Sequence, residues 1–171
     1  MQIAVLADPH VHAVHYPVPG LPPGTPALRT LSDTVQSTRV FNEGHNALRA
    51  ALRDIVARGI RIAVIVGDMT DDGQRMAWRA FNAIAREFER DHALRIYATF
   101  GNHDVFGMAG RHHGKAILRP DGSDLLLTSD PDRRGEDGAE RIVTPDMYCP
   151  GYPEVLDFAR NLGFFPSARD L

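Results

Sequence analysis

The stretch IRIAVIVGDMTDDG, from Ile60 to Gly73, constrains this chain more than any other. From Ile60 to Val66 the side chains are mostly β-branched and apolar, the pattern of a strand buried on both faces of a parallel sheet. The run stops at Gly67, and Asp68 follows at once. An acid in that position stands at the carboxyl end of a buried strand, where open α/β sheets hold their ligands. Asp71 and Asp72 come next and Gly73 closes the turn. Either acid could equally cap the helix that follows, since Asp is a favoured N-cap.

Two other strand ends share this character. Ile3 to Ala7 is a short apolar run ending in Asp8-Pro9-His10, where the proline halts the ladder. Asp8 and His10, two apart on extended chain, project to one side. Leu94 to Phe100 forms a third strand that ends in Gly101-Asn102-His103-Asp104. Between the strands lie two amphipathic helices. Phe41 to Arg58 carries Leu48, Leu52, Ile55 and Val56 on one face and stops at Arg58-Gly59. Gln74 to Arg90 carries Trp78, Phe81, Ile84, Ala85 and Phe88. The order β-α-β-α-β predicts an α/β fold with a parallel core, so that all three strands finish on one edge. Asp8, His10, Asp68, Asn102 and His103 stand at that edge. A turn acid and a surface histidine would explain any one strand end, but three alike are hard to explain as caps.

Carboxylate, imidazole and carboxamide groups are oxygen and nitrogen donors suited to Mn, Fe or Zn. Cys149 is the only cysteine, which excludes a thiolate-held structural zinc, an iron–sulfur centre and any internal disulfide. Two ions roughly 3.5–4 Å apart act as a clamp on displacement at phosphorus and acidify a water. His103 could protonate a leaving oxygen or stabilise phosphoryl charge, with Asp104 holding its ring in one tautomer. A net charge of −3 with dispersed basic residues gives no nucleic-acid patch. No apolar run approaches a membrane span, and no basic-then-apolar leader opens the chain, so a cytoplasmic site is expected.

The residues D-P-H, G-D-M-T-D-D-G and G-N-H-D resemble the first three motifs of the calcineurin-like metallophosphoesterase family, in order and each after a strand. They lie between residues 2 and 106. The resemblance implies a metal-dependent phosphatase or phosphodiesterase with a dinuclear site. Asp8 and His10 would hold one ion, Asp68 would bridge, Asn102 would hold the second, and His103 would contact the phosphoryl group. Asp71 falls on a site-organising position. The family also supplies three later histidines, two of them in a G-H-x-H motif, and this chain has no such motif. Gly110-Arg111-His112-His113 follows the third motif too closely to replace it. The family fold is a two-sheet sandwich, of which only the first sheet is apparent here.

Residues 1–171 are therefore expected to form one partial domain of that sandwich, with about half of the site. Residues 11–39, with five prolines, and 107–138 are expected as long loops. Within the second, Ser123 to Gly138 reads as an exposed, disordered excursion. Pro150 to Phe165 regains a short helical stripe. His12 and His15 read as loop residues near the site's mouth, and His45 as a helix-surface residue. A half-sandwich exposes an apolar face, which implies a complementary C-terminal polypeptide or a homo-oligomer. The alternative is a phosphoesterase-fold module that is non-catalytic or needs a partner chain. A flavodoxin-like binding domain would leave Asn102-His103 unexplained.

Overall fold

The computed structural model describes residues 1–35, 42–135 and 138–166. Phe41, the expected start of the first helix, and segments 36–39 and 136–137 of the expected loops lie outside the described residues.

The parallel core forms as the sequence requires. Strands β1 (Ala4–Ala7), β2 (Ile62–Val66) and β3 (Arg95–Thr99) make a three-stranded parallel sheet with β2 in the centre. In register, Val5 pairs with Val64 and Val64 with Tyr97, and Leu6 pairs with Ile65 and Ile65 with Ala98. Ala63, Ile65 and Ile96 are buried in one core with Leu48, Leu52 and Ile55 of helix α2 (Gly44–Ala57) and Trp78, Phe81, Ile84 and Phe88 of helix α3 (Arg75–His92). A four-residue helix, α1 (Leu31–Thr34), precedes α2.

Helix α2 ends as expected at Arg58-Gly59, where Gly59 adopts φ +74° and donates to the Val56 carbonyl. Helix α3 ends differently. Ala93 takes the left-handed conformation (φ 52°, ψ 32°) usually reserved for glycine, because the chain must reverse there for Leu94 to enter β3. Ala93→Gly is expected to stabilise the protein by about 0.5–1 kcal/mol, read as a higher denaturant midpoint at unchanged slope. A lower midpoint would show that the αL geometry carries no strain.

The second half departs from the sequence expectation. Residues Ser123–Gly138 do not form an exposed excursion, and 107–138 is not one loop. β5 (Gly114–Leu118) and β6 (Asp124–Thr128) form an antiparallel pair, and β7 (Glu140–Val143) adds parallel to β6. Leu125 and Leu127 are fully buried with Ile117 and Met147 in a second core. The turn between β5 and β6 is Pro120-Asp121-Gly122, with Gly122 at φ +86°. A second sheet is thus present in this chain, correcting the expectation that only the first would be. Two-residue strands β4 (Gly110–Arg111) and β8 (Cys149–Pro150) pair beside it. The expected C-terminal stripe is helix α4 (Tyr152–Phe158) and the irregular turn Arg160–Phe164, placing Val155, Ala159 and Leu162 in the first core.

The loop after β1 packs between the two sheets. Val11, His12, Ala13, Val14, Val18, Ala27 and Arg29 are buried, and Thr30 N–H donates to the Ala116 carbonyl of β5. The opposite face of the parallel sheet is different: Ile3, Val5 and Val66 are 49%, 65% and 45% exposed. Among the described residues no helix is long and apolar enough to cross a membrane.

Candidate active site

The site is assembled by backbone pairing that runs past the ends of the strands. His10 N–H donates to the Asp68 carbonyl, Val11 N–H to Met69, and Asp71 N–H back to Val11. The first and second motifs therefore leave the sheet side by side. Along this path the chain adopts unusual dihedrals. Among the described residues, only Asp8 (φ 46°), His10 (φ 43°), Asp68 (φ 24°) and Ala93 (φ 52°) are non-glycines with positive φ. Three of the four are expected metal ligands. Such conformations cost about 1–3 kcal/mol each and collect where side chains must be aimed.

Asp68 is the junction. It is 8% exposed; its Oδ1 accepts the His103 N–H at 2.7 Å, and its Oδ2 lies 3.7 Å from His10 Nε2. A side chain on Gly101 would collide with the Asp68 carboxylate, so only glycine lets the third motif wrap it. Gly67, at φ +76°, similarly leaves room for Asp8, whose Oδ1 would stand 2.7 Å from an added Cβ. Asn102 is exposed, between the two residues that touch Asp68. His103 and His10 meet edge to face with ring centroids 5.1 Å apart.

The two acids that follow Asp68 are not helix caps. Gln74 is the N-cap of α3, and it makes no side-chain cap bond. Asp71 is fully buried and bound by Arg29 Nη1 at 2.7 Å and by the Lys115 ammonium. Burial alone would raise its carboxyl, but Lys115 and Arg29 outweigh that and hold it below the usual carboxylate range. Asp71 thereby ties the second motif to the intersheet loop and to β5. Asp72, not Asp104, orients the catalytic candidate: Asp72 Oδ1 stands 3.2 Å from His103 Nδ1. The carboxylate accepts, so Nδ1 carries the proton.

Asp104 has a different task from the one expected of it. Its oxygens accept from the backbone N–H groups of Met69, Thr70 and Gly101 and from the Thr70 hydroxyl at 2.7–3.1 Å. It latches the second motif to the third. Burial pushes its pKa up, opposed by the Gly101, Thr70 and Met69 hydrogen bonds.

The remaining histidines divide. His12 is 1% exposed, and its Nε2 lies 2.7 Å from the Ala27 carbonyl, away from any ligand role. His15 and His45 pack edge to face at 4.9 Å. His45 is only 8% exposed, which corrects its reading as a surface residue. His113 lies 4.0 Å from Asp72 and 3.2 Å from the Gln74 amide. Sequence reasoning missed Arg29, Lys115 and His113 as neighbours of the site. Arg29 comes from the intersheet loop, Lys115 from the second sheet and His113 from the link between β4 and β5, and no motif announced their placement.

The donor set suits a hard or borderline cation. Ligands of one ion at about 2.0–2.2 Å lie near 3–3.5 Å from each other, so His10 and Asp68 are close to a shared position. Among the described residues no group of three or more His, Cys, Asp or Glu is arranged to hold an ion unaided.

A family model described as calcineurin-like phosphoesterase matches residues 1–149, well beyond the motif span and through the second sheet. A search of curated proteins finds no match.

Proposed function

This chain belongs to the calcineurin-like phosphoesterase family, and on that premise we propose that it is a phosphoric-ester hydrolase with part of a dinuclear metal site. The observation that carries the reading is the Asp68 carboxylate, one oxygen fixed by the third motif and the other turned to His10. Asp8, His10, Asp68 and Asn102 would hold the ions, with Mn, Fe or Zn matching their donors. Such ions, when bound, polarise phosphoryl oxygens and acidify a water. The chain's own residues supply placement. Gly101 and Asp104 fix the third loop around Asp68. Asp72 holds His103 by Nδ1, and with a second proton on Nε2 the ring would stabilise phosphoryl charge or protonate the leaving oxygen. The intersheet loop and the Arg111–His113 segment are the natural walls for a substrate.

The test is hydrolysis of p-nitrophenyl phosphate and of bis-p-nitrophenyl phosphate by the purified chain with added Mn²⁺, Fe²⁺ or Zn²⁺. Turnover that a chelator abolishes is the expected result, and the preferred substrate tells monoesterase from diesterase. No turnover with any of these ions would remove independent activity.

The uncovered sheet face adds a partner to this reading. Parallel sheets are ordinarily covered on both faces, yet Val5 and Val66 stand open beside Val64. On its own the chain is expected to self-associate through this face. Sedimentation should give a mass above 18.9 kDa, and Val5→Lys should return it to a monomer. A stable wild-type monomer would sink the association.

A further inference from the structure

A buried lysine lies next to the site. Lys115 sits on β5 in the second sheet and is only 2% exposed. Its four-carbon stem runs from the second core, beside Ile117 and Leu127, to the acids of the second motif. There its ammonium contacts Asp71 and lies 3.0 Å from Asp72 Oδ2. Asp71 already has the Arg29 guanidinium at 2.7 Å. Asp72 has Lys115 on one oxygen and His103 on the other, with His113 farther off at 4.0 Å.

We propose that Lys115 is a positioning residue for His103, acting through Asp72. The inference rests on the reading that His103 meets the phosphoryl group. Two adjacent buried carboxylates repel one another and need two cations to stay in place. Arg29 fixes the first, and Lys115 straddles both. With the ammonium in place, Asp72 presents Oδ1 to His103 Nδ1 in one orientation and the ring takes one tautomer. Without it, Asp72 is drawn toward the Arg29 guanidinium that holds Asp71, and the ring loses its anchor. The second sheet thus reaches the chemistry through one side chain, though it carries none of the three motifs.

Two readouts test this on the full chain, using Lys115→Met and Lys115→Arg. In metal-free protein, ¹⁵N-edited spectra of the His103 ring are expected to show a single Nδ1–H tautomer in the wild type and a mixture in Lys115→Met, with Lys115→Arg restoring the wild-type pattern. In the Mn²⁺-supplemented assay, Lys115→Met should lose about 10–100-fold in kcat with KM nearly unchanged, the range seen when an outer hydrogen-bond partner is removed. Ring signals unchanged in Lys115→Met would overturn the proposal whatever the activity. A chain that turns over no substrate would sink the functional reading, while the ring spectra still decide the role of Lys115. If Lys115→Met does not fold, Asp71→Asn combined with Lys115→Met removes one acid with the ammonium and is read in the same way.

Discussion

Asp68→Asn is expected to lose about 10³-fold in kcat/KM for an aryl phosphate, with folding nearly intact. The size follows from what the carboxylate does. A charge that stabilises the transition state through bound cations supplies several kcal/mol, and each 1.36 kcal/mol is tenfold in rate. The fold is spared because asparagine keeps an oxygen for the His103 N–H, the contact that closes the third motif around the second. Only the charge directed at His10 is lost. Circular dichroism and the thermal midpoint should therefore match wild type while turnover and Mn²⁺ binding by calorimetry fall together. Equal activity in the two proteins would mean that the fold is kept for binding or assembly and that Asp68 serves only as a hydrogen-bond acceptor.

The parallel core was legible because local chemistry and global placement agree there. A seven-residue, mostly apolar run halted by Gly67 can hardly be anything but a central strand, and the glycine proves necessary at φ +76° beside Asp8. Pro9 ends β1 where the sequence says it must. The strand-end acids were legible as a group, since a parallel sheet carries every carboxyl end to one edge. The partner of each acid was not. Asp71, Asp72 and Asp104 are all near His103 in sequence-derived topology, and only the turn geometry selects Asp72 for the ring and Asp104 for the backbone latch.

The second sheet was missed for another reason. Leu125, Leu126 and Leu127 sit among charged residues, so composition averaged over the segment reads as solvated. The Pro-Asp-Gly turn between two short apolar runs was the signal that could have found it. Lys115 was invisible because an alternating strand pattern treats a lysine as outward-facing. Its burial is explained only by the acids brought against it from another part of the chain.

That burial of charge and imidazole gives the second large effect: the protein should be acid-labile well above the carboxylate range. Burial pushes His12 down to about 3, with Lys115 adding to it, and pushes His113 down to about 4, again helped by Lys115. Both are neutral in the folded chain at pH 6, whereas the unfolded chain begins to protonate them near 6.5. The unfolded state therefore binds more protons below that point, and stability falls as pH drops. Each histidine contributes a slope of up to about 1.4 kcal/mol per pH unit, from about 6.5 until its folded pKa is reached. Asp71, held below its ordinary value, continues the loss below about 4. Asp104, raised by burial, works the other way, since its folded form takes up a proton first. The two histidines titrate over the wider interval and dominate between pH 6.5 and 4. Thermal midpoints of the metal-free protein should thus be flat from pH 8 to 7 and fall steeply toward 5. His12→Gln keeps a donor for the Ala27 carbonyl and removes its titration, so it should flatten that fall in part, the rest being carried by His113 and by His45, which burial also lowers. A midpoint independent of pH across this range would mean that neither imidazole is sequestered from water, and with it the packing of the intersheet loop around His12 would be wrong.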